Sequence, residues 1–305
     1  MAGVIGAVLL LGPGHESRAA DPCTISWDGG AFTKRWQDDA NWTGDRQPAD
    51  ADTVCIGAGS EVEFGGLRTT IAAIRVDGSL KLLSNDLRIA GPAESEAAGS
   101  FAVAGARLQL DGDLTAAHYN HSSGIVFGTG AIRTPDFQWT GGSEHGSGLT
   151  EVVPGGPGLA MSGGNHTLDQ TRTLKIDSGA TAHWTAGDFE LNDHAILDNL
   201  GTLEIRGDQD FVGCCGTAPQ VINEAGATLR KTEGLDATKL TYPMANDGTI
   251  DVRTGTLSIE GGSIPGRSSF GAFEIQDGAT LLFPSGPNAL GPSSSIVAHG
   301  SGQVR

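Results

Sequence analysis

Positive charge is scarce in this 305-residue chain: 19 lysines and arginines stand against 36 aspartates and glutamates, a formal net charge of −17 at pH 7. An acidic surface repels phosphate backbones and anionic lipids, which argues against nucleic-acid and polybasic membrane binding. Charged residues of both signs make up only 18%, while 38% are hydrophobic, unlike the composition of a disordered chain. Long apolar runs are missing too. AGVIGAVLLLG at 2–12 is too short to span a bilayer, and no other stretch is long enough. No segment carries a sustained 3.6-residue stripe, so helices are not expected. The nucleophile elbow, the phosphate-binding P-loop and the calcium-binding nonapeptide repeat are all absent. Threonines in T-x-T spacing, Thr171/Thr173 and Thr254/Thr256, are isolated rather than ranked.

Glycine is abundant. Its 47 residues are roughly twice ordinary usage, yet they keep no collagen-like period of three. With 13 prolines they reach about a fifth of the chain, below the level that marks low complexity.

The apolar run at 2–12 is followed by Ser17-Arg18-Ala19, a small-residue site. Residues 1–19 therefore read as a secretory signal peptide without the usual basic n-region, as if the start lay inside a longer leader. The alternative is a buried apolar strand. Four cysteines agree with export, because Cys23, Cys55, Cys214 and Cys215 match no zinc spacing. A Cys23–Cys55 disulfide would close a loop of about 32 residues. The adjacent Cys214 and Cys215 form a vicinal disulfide, stay as thiols or pair elsewhere; a loop staple or buried thiol pair is the plainer reading. Sequons at Asn41, Asn120 and Asn165 matter only in a glycosylating host.

Short alternating segments recur, each introduced by an acidic residue or Asn, then Gly and a β-former. Examples are VDGSLKL at 76–82, LDNLGTLEI at 197–205, ANDGTIDV at 245–252 and IQDGATLLF at 275–283. From the middle onward Gly179, Gly201, Gly226, Gly248 and Gly278 keep a loose period near 22, which is the mark of a solenoid. In GTLEI, GTIDV and GTLSI polar and apolar residues alternate, so one side of each strand faces inward. Such a unit suits one coil of a parallel β-helix, with turn glycines supplying positive φ. At about 22 residues per coil, about 285 mature residues make roughly 13 coils, a rod on the order of 60 Å. Asn199, Asn223 and Asn246 recur at the same place and are expected to stack as an amide ladder. A β-sandwich or barrel is the alternative fold.

The opening segment SWDGGAFTKRWQDDANWTGDRQPADADTVCIG at 26–57 resembles the start of many exported bacterial β-solenoid proteins, of the autotransporter-passenger-like and adhesin-like kind. The shared pattern is W-x-G-G, then W, then N-W, then P and D-x-V-x-I. FQWTGGSEHGSG at 137–148 and GAFEIQDGATLLFPSG near the end are similar to the same family. The resemblance implies an all-β, right-handed parallel β-helix with an N-terminal Trp-rich cap, exported to the cell surface or beyond. It implies no particular chemistry. The expected layout is a signal peptide at 1–19, a cap segment at 20–60 and repeats over 61–305. Cys23 and Cys55 bracket the opening motif, and Cys214-Cys215 interrupts a repeat, both departures from the pattern. Arg305 follows directly on a family-like rung, so a fragment or single module of a longer surface protein is expected.

Three of the five tryptophans, Trp27, Trp36 and Trp42, fall within sixteen positions. As exposed indoles they would stack on sugar rings, helped by Asp28, Asn41 and Asp45. As a hydrophobic plug they would cover the open end of the solenoid, the use favoured here. Trp139 and Trp184 read as core or corner residues. Asp208 with Asp210, and Asp188 with Glu190, offer paired carboxylates of the kind glycoside cleavage needs, if each pair shares one face of a strand; a solvated face or turn is the plainer reading. HYNH at 118–121 is the one close histidine pair, and its spacing suits zinc on a helix better than on a strand. No catalytic residue, metal ligand or cofactor is assigned. The expected role is structural, adhesive or ligand-displaying, toward a polysaccharide or a surface protein. A polysaccharide lyase or hydrolase and a carbohydrate-binding module are the alternatives.

Overall fold

A strand with apolar residues at every second position hides one side and leaves its main-chain edges unpaired, and stacking equivalent strands satisfies both needs. In Thr202–Arg206, Leu203 and Ile205 are buried while Thr202, Glu204 and Arg206 stay half-buried. Leu203 pairs in register with Ala182 of the coil before and Leu229 of the coil after. Repeated along the chain, this gives an all-β parallel solenoid of about 12 turns in a computed structural model, which describes residues 22–95, 98–213 and 219–305. Segment 1–19 and the Cys214–Cys215 pair lie outside the described residues. The one helical element among them is a short 3-10 turn at Asp39–Asn41, and no described helix is long and apolar enough to cross a membrane.

Each coil has three faces. The first begins at Ile25–Ser26 and Thr53–Ile56 and ends at Met244–Asn246. The second runs from Glu61–Phe64 to Ser295–Ala298, and the third from Thr69–Ile71 to Gln303–Val304. Ser100–Leu110 and His118–Gly128 pass through the second and third faces without a break. Coil length varies. Ile132 pairs with Thr150, eighteen residues on, and Leu174 with Leu197, twenty-three on. The turns number about 12 rather than 13, because Ser26 pairs with Cys55 and the chain between them forms a cap instead of a coil.

Two physical demands place the turn glycines, where one was expected. Gly226 has φ 87°, the left-handed conformation glycine adopts freely. Gly248 does not have positive φ; its hydrogen faces the carbonyl of Ala227 in the coil beneath, and a Cβ there would run into that oxygen. Gly201 meets Ala180 in the same way.

The asparagine ladder forms as the repeat spacing suggests. Asn199 Nδ2 donates to Asn223 Oδ1 at 2.8 Å and Asn223 Nδ2 to Asn246 Oδ1 at 2.7 Å. The same amides reach the carbonyls of Thr228 (3.0 Å), Thr249 (3.1 Å) and, from Asn246, Ala272 (3.0 Å). All three side chains are buried, so every bond counts against a desolvated alternative. Trp139 and Trp184 stand in the core, Trp184 edge-on to Phe211 at 4.7 Å.

Candidate functional site

The cap is built on asparagine chemistry and indole packing. Asn41, fully buried, accepts from Ala31 N (3.0 Å) and donates to Thr33 Oγ1 (2.9 Å) and Arg35 O (3.1 Å), clamping the loop 28–35. Trp42 lies edge-on to Trp36 at 4.7 Å and to Trp27 at 5.0 Å, and Trp36 continues onto Phe64 at 5.5 Å. Trp42 Nε1 donates to Trp36 O at 2.6 Å. The three tryptophans therefore meet in one cluster at the N-terminal end, with Trp36 and Trp42 buried and Trp27 half-buried. The rings of the cluster meet edge to face, and of the three only Trp27 is partly open to solvent.

Cys23 and Cys55 are joined in a disulfide with Cα atoms 5.7 Å apart. Beside it Arg46 grips Asp52 through two hydrogen bonds of 2.6 and 2.8 Å, and Thr24 Oγ1 adds a third at 2.8 Å. The Arg46 guanidinium, with Ala49 N and Thr24, holds the Asp52 carboxyl well below the usual carboxylate range against the opposing effect of burial. At the tip of the clamped loop Phe32 is 97% exposed and sits at φ 56°, a region that costs a bulky residue energy.

A second cluster, inside the solenoid, was not foreseen. Tyr119, His121, Glu144, Thr150, His166 and Arg172 are all fully buried. Glu144 falls in an inward row between Val126 and Leu168. Its carboxylate takes the Thr150 hydroxyl and lies 3.4 Å from Arg172 Nε and 3.7 Å from His121 Nδ1. Tyr119 OH donates to Glu144 Oε1 at 3.4 Å, and Arg172 Nη2 donates to Thr150 Oγ1 at 2.9 Å. Burial alone would raise Glu144, but His121 and Arg172 outweigh it and hold the carboxyl below its ordinary value. Burial pushes Tyr119 well up and His166 down to about 4. An acid, a base and a cation converge here. With every member sealed from solvent, the arrangement works as a cross-coil ion cluster, whose loss of one partner would strand the others.

The signal for it in sequence is weak. Inward and outward positions lose their simple parity between His121 and Ile125, where the register against Ser100–Leu110 shifts. Gly124 sits at φ 91° in that irregularity. Reading SEHG by alternation alone therefore does not reveal that Glu144 points inward, and Arg172 enters from a corner rather than a strand.

Asp188 and Glu190 flank the buried Phe189 at the start of Phe189–Leu191, as a shared outward face requires, whereas the other carboxylate pair does not share a strand. Asp208 and Asp210 lie in the turn after Thr202–Arg206. Asp208 receives Lys231 Nζ at 2.8 Å, and Asp210 Oδ1 receives Lys239 N at 2.7 Å. Lys231 is itself fully buried. Asp188 Oδ1 accepts Asp210 N at 2.9 Å; Glu190 accepts Asn165 Nδ2 and Thr167 Oγ1, each at 3.1 Å. Each of these carboxylates bonds a neighbouring coil. The histidines of HYNH separate: His118 points outward to Asp136 at 2.7 Å, while His121 is inside.

Three cations far apart in sequence, Arg75, Arg133 and Lys175, fall in one outward row. On the outer side of the first face Arg75, Glu94, Thr115, Arg133, Glu151, Lys175 and Asp198 form one row across successive coils. Glu151 bridges Arg133 at 3.1 Å and Lys175 at 2.7 Å. A depression of about 340 Å³ is lined by Ile264, Pro265, Arg267 and Pro287 among others. Its one charged lining group, Arg267, is occupied by Glu224 (3.2 Å) and Asp247 (2.7 Å).

Comparison with protein-family models, with curated proteins and with solved structures found no match to this chain. The fold supports a structural or surface-type role.

Proposed function

We propose that this chain is an exported, noncatalytic β-solenoid: a stiff rod at the cell surface or outside the cell that spaces and displays its capped end. The observation that carries the reading is where the reactive groups stand. Glu144, His121, Tyr119 and Arg172 are sealed inside, and Asp188, Glu190, Asp208 and Asp210 hold neighbouring coils together. Rigidity follows from continuous ladders on three faces, and needs no cofactor. The Cys23–Cys55 bond fits an oxidising compartment.

A sugar-binding cap is the second reading, favoured by the clamped loop and by Phe32. A glycan stacking there would meet Phe32 and the half-buried Trp27; Trp36 and Trp42 serve as the plug beneath.

Export is tested by following the chain with residues 1–19 in a bacterial host. Cleavage after Ala19, appearance outside the cytoplasm and a formed Cys23–Cys55 bond are expected. A chain kept in the cytoplasm with both thiols free contradicts the proposal.

A further inference from the structure

We propose that the outer side of the third face around Ile125 and Phe127 is a self-association surface, through which two copies of this chain pack side by side and antiparallel. This goes beyond the display role and does not rest on it.

Two rows of outward side chains cross the third face. One runs from coil to coil through Asp86, Arg107, Ile125, Ser143 and Thr167. The other runs through Thr70, Arg88, Gln109 and Phe127. It continues to His145 and Asp169, because Val126, Glu144 and Leu168 pair in register and the next residue of each follows in step. All of these side chains are polar except Ile125 and Phe127, which stand two apart on one strand and are only half-buried. The Arg107 guanidinium lies 5.2 Å from the centre of the Phe127 ring, a cation–π contact, and is itself more than half exposed. An isoleucine and a phenyl ring held outward on a sheet and rimmed by charged residues form a patch of the kind that marks association.

The pattern of charge selects the occupant. Around the apolar centre the two rows carry Arg88 and Arg107 against Asp86 and Asp169, a local balance in a chain with 36 acids and 19 bases. A two-fold axis crossing both rods at His118–Gly128 sets Phe127 against Phe127 and Ile125 against Ile125. One coil to either side, Arg107 of each copy faces Ser143 of the other, and Gln109 faces His145. Two coils to either side, Arg88 faces Asp169 and Asp86 faces Thr167. No like charges oppose each other, and every contact occurs twice, as an isologous joint requires. A parallel pair would align two rods of net charge −17 along their whole length. The antiparallel pair crosses nearer the capped ends and holds the remaining coils apart, which lowers that repulsion.

The test uses residues 20–305 in sedimentation velocity and small-angle scattering at physiological salt over a range of concentrations. A dimer is expected, longer than one rod and shorter than two. Ile125→Ser with Phe127→Ser removes the apolar centre at outward positions and is expected to weaken dimerisation at least about tenfold. Arg88→Asp sets acid against acid and is expected to weaken it similarly, and adding Asp169→Arg to that chain is expected to restore the dimer. The restoration separates lost charge complementarity from lost folding, and it distinguishes the antiparallel joint from a parallel one, in which Arg88 would face Asp86. A monomer at every concentration overturns the proposal, as does a glycan held on this face by a chain that stays monomeric. A dimer no longer than one rod, a dimer unchanged by these substitutions, or a doubly exchanged chain as weak as Arg88→Asp alone overturns it too.

Discussion

Removing one rung of the asparagine ladder is expected to cost more at the middle than at the end. In Asn223→Ala, Asn246 Oδ1 and the Thr249 carbonyl lose their donor, and Asn199 Nδ2 loses one of its two acceptors. Two buried acceptors are orphaned and a third group keeps only one of its two bonds, so at about 1–2 kcal/mol per lost bond a loss of about 3–5 kcal/mol is expected. In Asn199→Ala, Asn223 Oδ1 and the Thr228 carbonyl are orphaned. But Asn199 Oδ1 already lacks a partner in its buried position, and deleting it relieves that cost, leaving about 1–2 kcal/mol. Urea unfolding of the two variants, with m-values checked against the parent, measures the difference. Thermal midpoints should follow, at about 2 °C per kcal/mol for a chain of this size. Equal losses, or a larger loss at Asn199, would refute the assignment of the ladder as a chain of mutually dependent bonds.

Acid should destabilise the fold through His166, whose buried imidazole is pushed down to about 4 while an unfolded histidine titrates near 6.5. The unfolded chain binds the proton first, so stability is full above about pH 6.5 and falls by up to roughly 3 kcal/mol toward pH 4; His166→Gln should flatten that part of a pH series of unfolding curves, and an unchanged slope contradicts it. Reducing the Cys23–Cys55 bond, which spans 32 residues of sequence, should cost about 3–4 kcal/mol on the chain-entropy model. Hydrogen exchange should then quicken near the cap and leave the far coils unchanged. Trp42→Ala should destabilise by about 3–5 kcal/mol, as loss of a buried aromatic does. Phe32→Gly should raise stability by roughly 1 kcal/mol through relief of its left-handed backbone, and a melting curve that falls instead would place Phe32 in a packing role.

What sequence revealed was whatever repeats. Alternation in GTLEI and GTIDV marked Leu203, Ile205, Ile250 and Val252 as inward, and all four are buried. The recurrence of Asn199, Asn223 and Asn246 marked the ladder, because a repeated polar residue at one coil position meets its own copy above and below. The cluster of Trp27, Trp36 and Trp42 marked the capped end. Features that break the repeat stayed hidden. Glu144 and Arg172 depend on a register shift and on a corner, neither of which has a period. Gly248 looked like a positive-φ turn residue, yet its reason is close approach between coils, which only stacking discloses. Asp208 and Asp210 read as a strand pair but fall in a turn, because Thr202–Arg206 ends at Arg206.

The most direct measurement incubates residues 20–305 with a broad panel of polysaccharides, assays for new reducing or unsaturated ends, and scores binding on a glycan array. The expected result is no cleavage with any polymer; binding, if present, should be lost in Phe32→Ala and Trp27→Ala chains that keep their fold. New ends that vanish in Asp208→Asn or Asp210→Asn, with folding intact, would contradict the noncatalytic rod and make the turn at 207–210 an active site.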